Sequence, residues 1–357
     1  MSCRPPRKGI LNRAVSVSIF PVGVAYIGDA VPLPEKALIA QIRRMAKSYK
    51  RGRARGSKVI KAIGDDCAVL RLQPGRDSLV TTDFTLEGIH FRRDWHPAEA
   101  VGHRCLVRGL SDIAAMGGEP VAAFLSLALP RDLSQSWVGR FARSLMSLAG
   151  RYGVTLAGGD TAESPNGILA DIIVIGTVGR DNAILRSGAR PGDRIYVSGE
   201  LGASAAALEQ MRAQPGKKLQ PRDYPRHFYP EPRVELGRVL RQKRMASAMI
   251  DLSDGLSTDL AHICEESGVG AEVEAQRIPR ARVGRPAREV DLDLGLHGGE
   301  DYELLFTAPA DKRVPPRIVG VALTCIGRIT RRRKIILRNA KDVGDELVAR
   351  GWEHFRR

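Results

Sequence analysis

Apolar positions along the 357-residue chain follow two rhythms. A period of three to four residues marks 34–48, where Leu38, Ile39, Ile42 and Met45 share a face behind a proline suited to a first helical turn. It returns over 96–118, with Leu106, Val107, Leu110, Ile113 and Ala114 on one stripe. Further helices are predicted over 137–153 with a stop at glycine, over 203–211, over 234–243, and from about Leu256 within 253–268. Short apolar runs predict strands at 67–72, 77–84, 121–129, 154–160, 168–179, 194–199, 247–252, 271–275, 302–308 and 324–330. Of these, 121–129 reads as a buried strand and 154–160 as a strand running into a turn at Asp160. Residues 214–233 are Pro-rich and polar, which predicts a loop or a mobile insertion. Strands and helices mix without strict βαβ alternation. The expectation is an α+β protein of two domains, 33–184 and 185–357.

Composition changes this picture little. The chain is 43% hydrophobic and 27% charged, as globular chains are. Residues 1–32 imitate a signal peptide, but Pro21 interrupts the apolar part and no small-x-small cleavage site follows. They are expected to form an atypical or disordered extension. Five scattered cysteines without a CxxC pair indicate buried thiols in a reducing, cytoplasmic setting. No apolar run is long enough for a membrane helix.

Charge matters more. The net charge is +16, and basic residues concentrate in 43–58, in 331–334 and at the last two positions. Such a surface attracts phosphates, whether on nucleic acid or on small anions. Only 5% of residues are aromatic and no RNA- or DNA-binding motif is present, so nucleic acid is a poor fit.

Against that basic background, carboxylates recur at turns and strand ends. They are Asp65–Asp66, Asp83, Asp112, Asp160, Asp251, Asp254 and Glu300–Asp301. Each has a local reading. Asp251, Ser253 and Asp254 suit the cap of the following helix. Asp112, four residues after Arg108, suits a helix-surface ion pair. Asp160 after two glycines suits a turn. Together they suit a hard cation, which takes carboxylate oxygens and substrate phosphates as ligands. The GxxxxGK[ST] loop, the protein-kinase motif set, GxGxxG, HExxH and GxSxG are all missing from the sequence. Metal-assisted chemistry on a phosphate remains.

Seven motifs in order, IGDDCAVL, TTDFTLEGIHF, LSDIAAMGGEP, LAGGDT, RSGARPGD, MIDLSDGL and GGEDYELLFT, with a closing GWEHF, resemble the thiamine-monophosphate kinase family. The resemblance covers about Glu35 to Phe355. It implies the two-domain PurM-like fold shared with aminoimidazole ribonucleotide synthetase and selenophosphate synthetase. It also implies a homodimer formed through the N-terminal domains, and ATP-dependent phosphorylation of thiamine monophosphate. By the same resemblance, Asp66, Thr81, Thr82, Asp83, Asp112, Asp160, Asp251 and Asp254 match ligands of several Mg²⁺ ions. Gly159, Asp160, Arg186 and Ser253 match ATP-binding positions, and His90, Glu300 and Trp352 match positions contacting the thiamine substrate. No general base is expected, because the acceptor phosphate is already ionised near neutral pH. The N-terminal extension, the basic 47–61 stretch and the 214–226 segment depart from the family pattern.

Overall fold

The computed structural model describes residues 59–61 and 65–355, apart from Pro215, Lys217, Asp342 and His354. The helix expected at 34–48, the basic 43–58 stretch and the N-terminal extension lie outside the described residues.

Two sheets divide the chain. The first comprises β1 (Val59–Lys61), β2 (Ala68–Gln73), β3 (Arg76–Leu86), β4 (Glu119–Leu129), β5 (Thr155–Glu163) and β6 (Leu169–Gly179), in the order β1-β2-β3-β6-β4-β5. Its pairs are antiparallel except β4 with β5. Two helices complete this half, α1 (Ala98–Ala115) and α2 (Gln135–Arg151). Ser134 caps α2 by accepting a hydrogen bond from the Trp137 N–H.

The second half begins with β7 (Arg194–Ser198), α3 (Ala203–Ala213), α4 (Pro225–Phe228), α5 (Val234–Gln242), β8 (Ala248–Asp251) and α6 (Leu256–Ser267). There follow β9 (Gly270–Glu274), β10 (Arg282–Val283), β11 (Arg288–Glu289), α7 (Leu292–His297), β12 (Leu304–Ala308), β13 (Arg317–Ile318), β14 (Val321–Thr330), β15 (Ile335–Arg338) and β16 (Gly344–Glu346). The main sheet runs β16-β15-β9-β14-β7-β12-β8, with β13 beside β14, while β10 and β11 form a separate hairpin.

The period of two explains how the sheets pack. Along β6, Ala170, Ile172, Val174, Gly176 and Val178 are buried and the residues alternating with them half-buried. The buried side chains meet Leu106, Leu110 and Ile113 of α1 in one apolar cluster. In the second sheet both faces are covered. Tyr196, Met249 and Phe306 join the α1 cluster, whereas Ile195, Val197, Ile250 and Leu305 pack with Leu260 and Ile263 of α6. Helix α1 therefore lies in a core common to both halves, and it is buried on nearly every side rather than along the single expected stripe.

Three expectations change. Strand β4 is only half-buried along most of its length, because among the described residues no helix covers the face of the first sheet turned away from α1. Strand β5 does not turn at Asp160 but continues as an exposed edge to Glu163. Gly159 permits this: φ is 153°, and a Cβ there would overlap the Leu125 carbonyl oxygen of β4. Finally, the loop expected at 214–233 carries short helical pieces. A 3-10 turn at Pro221–Asp223 leads into α4, whose Phe228 is fully buried with Leu219, Ala207, Met211 and Ala100.

Candidate active site

The carboxylates arrive from separate elements. Asp66 stands just before β2, Asp83 points from β3 toward α1, Asp112 comes from the last turn of α1, and Asp251 ends β8. Oxygens of Asp66, Asp112 and Asp251 all lie within 4.8 Å of one another, with Asp66 and Asp251 buried.

Little positive charge offsets this cluster. Arg186 grips Asp66 with two hydrogen bonds, Nε to Oδ2 at 3.1 Å and a terminal nitrogen to Oδ1 at 3.0 Å. Ser111 donates to Asp251 at 2.6 Å and Thr81 donates to Asp112. Burial, then the neighbouring Asp66, pushes the Asp251 carboxyl up to about 8. Burial, then Asp251, holds Asp112 well above the ordinary carboxylate range. Asp112 and Asp251, which resist ionising side by side, form with Asp66 a pocket suited to a divalent cation.

Strand alternation divides the Thr81–Thr82–Asp83 trio. Thr81 and Asp83 face α1, while the Thr82 hydroxyl turns to the opposite face and donates to Asp171 at 2.7 Å. Asp254 groups instead with Asp259 and His262. The capping expectation fails here. Gly255 precedes α6 without a side-chain cap, and Asp259 accepts from the Asp254 and Gly255 N–H groups at 3.2 and 3.0 Å. Asp301 turns away to accept from the Gly202 N–H at the start of α3.

A cavity of about 370 Å³ adjoins the cluster. Asp83, Asp112, Asp251, Ser253 and Asp254 line it, as do Thr82, His90, Glu300 and Trp352. Glu300 adopts a left-handed backbone (φ 64°), fixed by its N–H donating to the Ser253 carbonyl. Its carboxylate lies between two arginines of α1, Arg104 and Arg108, the latter at 2.6 Å. Burial alone would raise the Glu300 carboxyl, but Arg104 and Arg108 overcome it and bring it down to about 2. Arg108 thus serves Glu300 and Asp83 (3.4 Å) rather than the expected surface pair with Asp112. The His90 Nδ1 accepts from the Leu86 N–H at 3.0 Å, which leaves Nε2 as the protonated atom of the neutral ring. Trp352, about half exposed, donates its main-chain N–H to the Asp254 carbonyl.

Gly159 and Asp160 are not brought to this cavity. They sit on β5, separated from β3 by β6 and β4. Arg104 and Ser111 went unnoticed in the sequence, where Arg108 reads only as a surface partner of Asp112. Their signal was polar side chains at helical spacing inside an otherwise apolar helix.

Comparison with known proteins agrees with this layout. The AIR synthase related protein N-terminal domain family matches residues 64–178, and the corresponding C-terminal domain family matches 190–338. A thiamine-monophosphate kinase from Salmonella typhimurium is 39% identical over 297 residues, 80% of this chain and 89% of that protein. One from Escherichia coli K12 is 38% identical over 323 residues, 87% of this chain and 97% of that one. A solved structure described as AaThiL complexed with AMPPCP and TMP superposes with a TM-score of 0.76 at 31% identity, covering 90% of this chain and 97% of that one.

Proposed function

The chain belongs to the thiamine-monophosphate kinase family, and from that premise we propose that it transfers the γ-phosphoryl of ATP directly to thiamine monophosphate. The products are thiamine diphosphate and ADP. The observation that carries the reading is one cavity whose wall holds both the carboxylates and the three substrate-side residues His90, Glu300 and Trp352.

The acceptor is itself a phosphate, ionised near neutral pH, so the site needs no general base. The difficulty is bringing two anions together in line. Asp66, Asp112 and Asp251 fit Mg²⁺ by donor chemistry and separation, and Thr81, Thr82, Asp83, Asp160 and Asp254 join them in the family pattern. Bound Mg²⁺ supplies charge neutralisation on the phosphates. The chain's own groups orient the reactants. Glu300, kept anionic by its two arginines, is matched to the cationic thiazolium, and the Trp352 ring offers it a π face worth about 0.5–2 kcal/mol. His90 presents an N–H. Arg186 and Ser253 face the nucleotide, with Gly159 and Asp160 assigned to the same role by family pattern.

The same reading divides function at about residue 185, the first part binding ATP and Mg²⁺ and the second completing the site. It makes the protein a cytoplasmic homodimer with no nucleic-acid or membrane partner. Support for the dimer is the face of the first sheet turned away from α1, which among the described residues carries Phe84, Phe124, Ile173 and Ile175 exposed or half-buried. Among the described residues no helix is long and apolar enough to cross a membrane. Incubation with ATP, Mg²⁺ and thiamine monophosphate, followed by anion-exchange chromatography, tests the function. Equal amounts of thiamine diphosphate and ADP are expected. ADP without thiamine diphosphate contradicts the assigned acceptor.

A further inference from the structure

Behind the cavity wall, away from the acidic cluster, a buried hydrogen-bond chain links α1, α3 and α4 with the turn before α1. The His96 Nε2 lies 2.9 Å from the His227 Nε2, and the His227 Nδ1 lies 2.9 Å from the Ser204 hydroxyl. An Arg104 guanidinium nitrogen is 3.4 Å from the same His227 Nε2, and another bonds Glu300. His96, Arg104, Ser204 and His227 are all nearly inaccessible, yet Ser204 and Glu300 line the cavity.

Two obligatory donors settle the proton positions. The Arg92 main-chain N–H points at the His96 Nδ1 (3.2 Å), so that nitrogen presents its lone pair. The Arg92 carbonyl, also 3.2 Å from this nitrogen, already accepts from the His96 main-chain N–H. The proton of a neutral His96 therefore sits on Nε2 and is donated to His227. Arg104 cannot accept a hydrogen bond, so it too requires a lone pair on the His227 Nε2. Both constraints place the His227 proton on Nδ1, where it is donated to the Ser204 oxygen. Ser204 has then spent a lone pair and keeps its own O–H for the cavity. Burial, then the Arg104 charge, keeps both imidazoles neutral, with His96 lowered to about 4.

We propose that His227 is a positioning residue of the acceptor site, setting Ser204 as a hydroxyl donor to the bound thiamine monophosphate and steadying Arg104 beneath Glu300. The inference rests on the kinase reading and gives the α4 segment a role in it. Ser204 makes the substrate contact, to an acceptor atom of thiamine monophosphate.

Steady-state kinetics of the full chain tests this with Ser204→Ala, His227→Phe and His227→Asn, whose amide N–H replaces the Nδ1 donor. The first two are expected to raise the KM for thiamine monophosphate roughly three- to tenfold, the size of one lost hydrogen bond, and leave the KM for ATP within about twofold. His227→Asn is expected to recover part of the loss. Long-range ¹⁵N–¹H correlation of the wild-type imidazoles is expected to show His227 protonated on Nδ1 and His96 on Nε2, whatever the folding of the His227 variants. An unchanged KM for thiamine monophosphate in Ser204→Ala, or His227 protonated on Nε2, overturns the inference while leaving the kinase reading intact. Wild-type protein that makes no thiamine diphosphate overturns both.

Discussion

Asp65 and Asp66 are neighbours in sequence with different partners. Asp66 joins the carboxylate cluster and is held by the Arg186 guanidinium, while Asp65 pairs with Lys61 at 3.1 Å and accepts from the Arg186 main-chain N–H. One arginine thereby anchors both residues from opposite ends. Removing a carboxylate from the cluster relieves repulsion that Arg186 offsets only at Asp66. Asp112→Asn, which keeps an acceptor for Thr81, is expected to leave the melting temperature unchanged or higher without divalent cations. Its Mg²⁺-induced rise in melting temperature should vanish, and kcat/KM should fall about 10²- to 10³-fold, as when one electrostatic stabiliser is removed. Calorimetry with and without Mg²⁺, together with initial rates, checks both. Glu300 gives a pH prediction. Its carboxyl is lowered from 4.5 to about 2, so its contribution to stability is complete above about pH 4.5 and is lost as pH falls toward 2. Denaturant unfolding from pH 5 to 2 is expected to show a shallower decline in Glu300→Gln than in wild type. At this scale the acidic residues were legible in the sequence because Asp beside Gly is conspicuous. Their partners were not, because Arg104 and Arg108 reach Glu300 across about two hundred residues of chain.

Helix α1 is the element that turns scattered carboxylates into a site, since Arg104, Arg108, Ser111 and Asp112 all project from it. Its position depends on close backbone contact with α5, where a Cβ at Gly237 would overlap the Ala114 carbonyl oxygen. Arg241 of α5 also donates to the Gly117 carbonyl at 2.6 Å. Gly237→Ala is expected to destabilise the protein by about 1–3 kcal/mol, the range for overpacking, and to lower activity by displacing Asp112 although α5 touches no substrate. Chemical denaturation and initial rates measure the two effects. Periodicity located α1, α2 and α6 well because their apolar spacing is strong. It marked 214–233 as a loop but gave no sign that Phe228 and His227 within it are buried against α1 and α3. Such burial is set by neighbours distant in sequence, and no local pattern carries it.

The whole molecule joins two sheets through a common core around α1, and the cavity opens where β3, β8 and the turn before β12 approach that helix. The resemblance of seven ordered motifs conveyed this architecture more fully than periodicity did, since pairing order in a sheet is non-local. The small strands β1, β10, β11, β13, β15 and β16 were missed, being too short to show alternation. The central claim is transfer of the γ-phosphoryl to a phosphate acceptor. Phosphorus NMR of a reaction containing thiamine monophosphate, Mg²⁺ and ATP labelled with ¹⁸O at its three non-bridging γ-oxygens tests it directly. Cleavage between the γ-phosphorus and its bridging oxygen predicts thiamine diphosphate whose terminal phosphoryl carries all three labels, with unlabelled ADP. Label appearing only in inorganic phosphate, or an unlabelled terminal phosphoryl, would contradict the account.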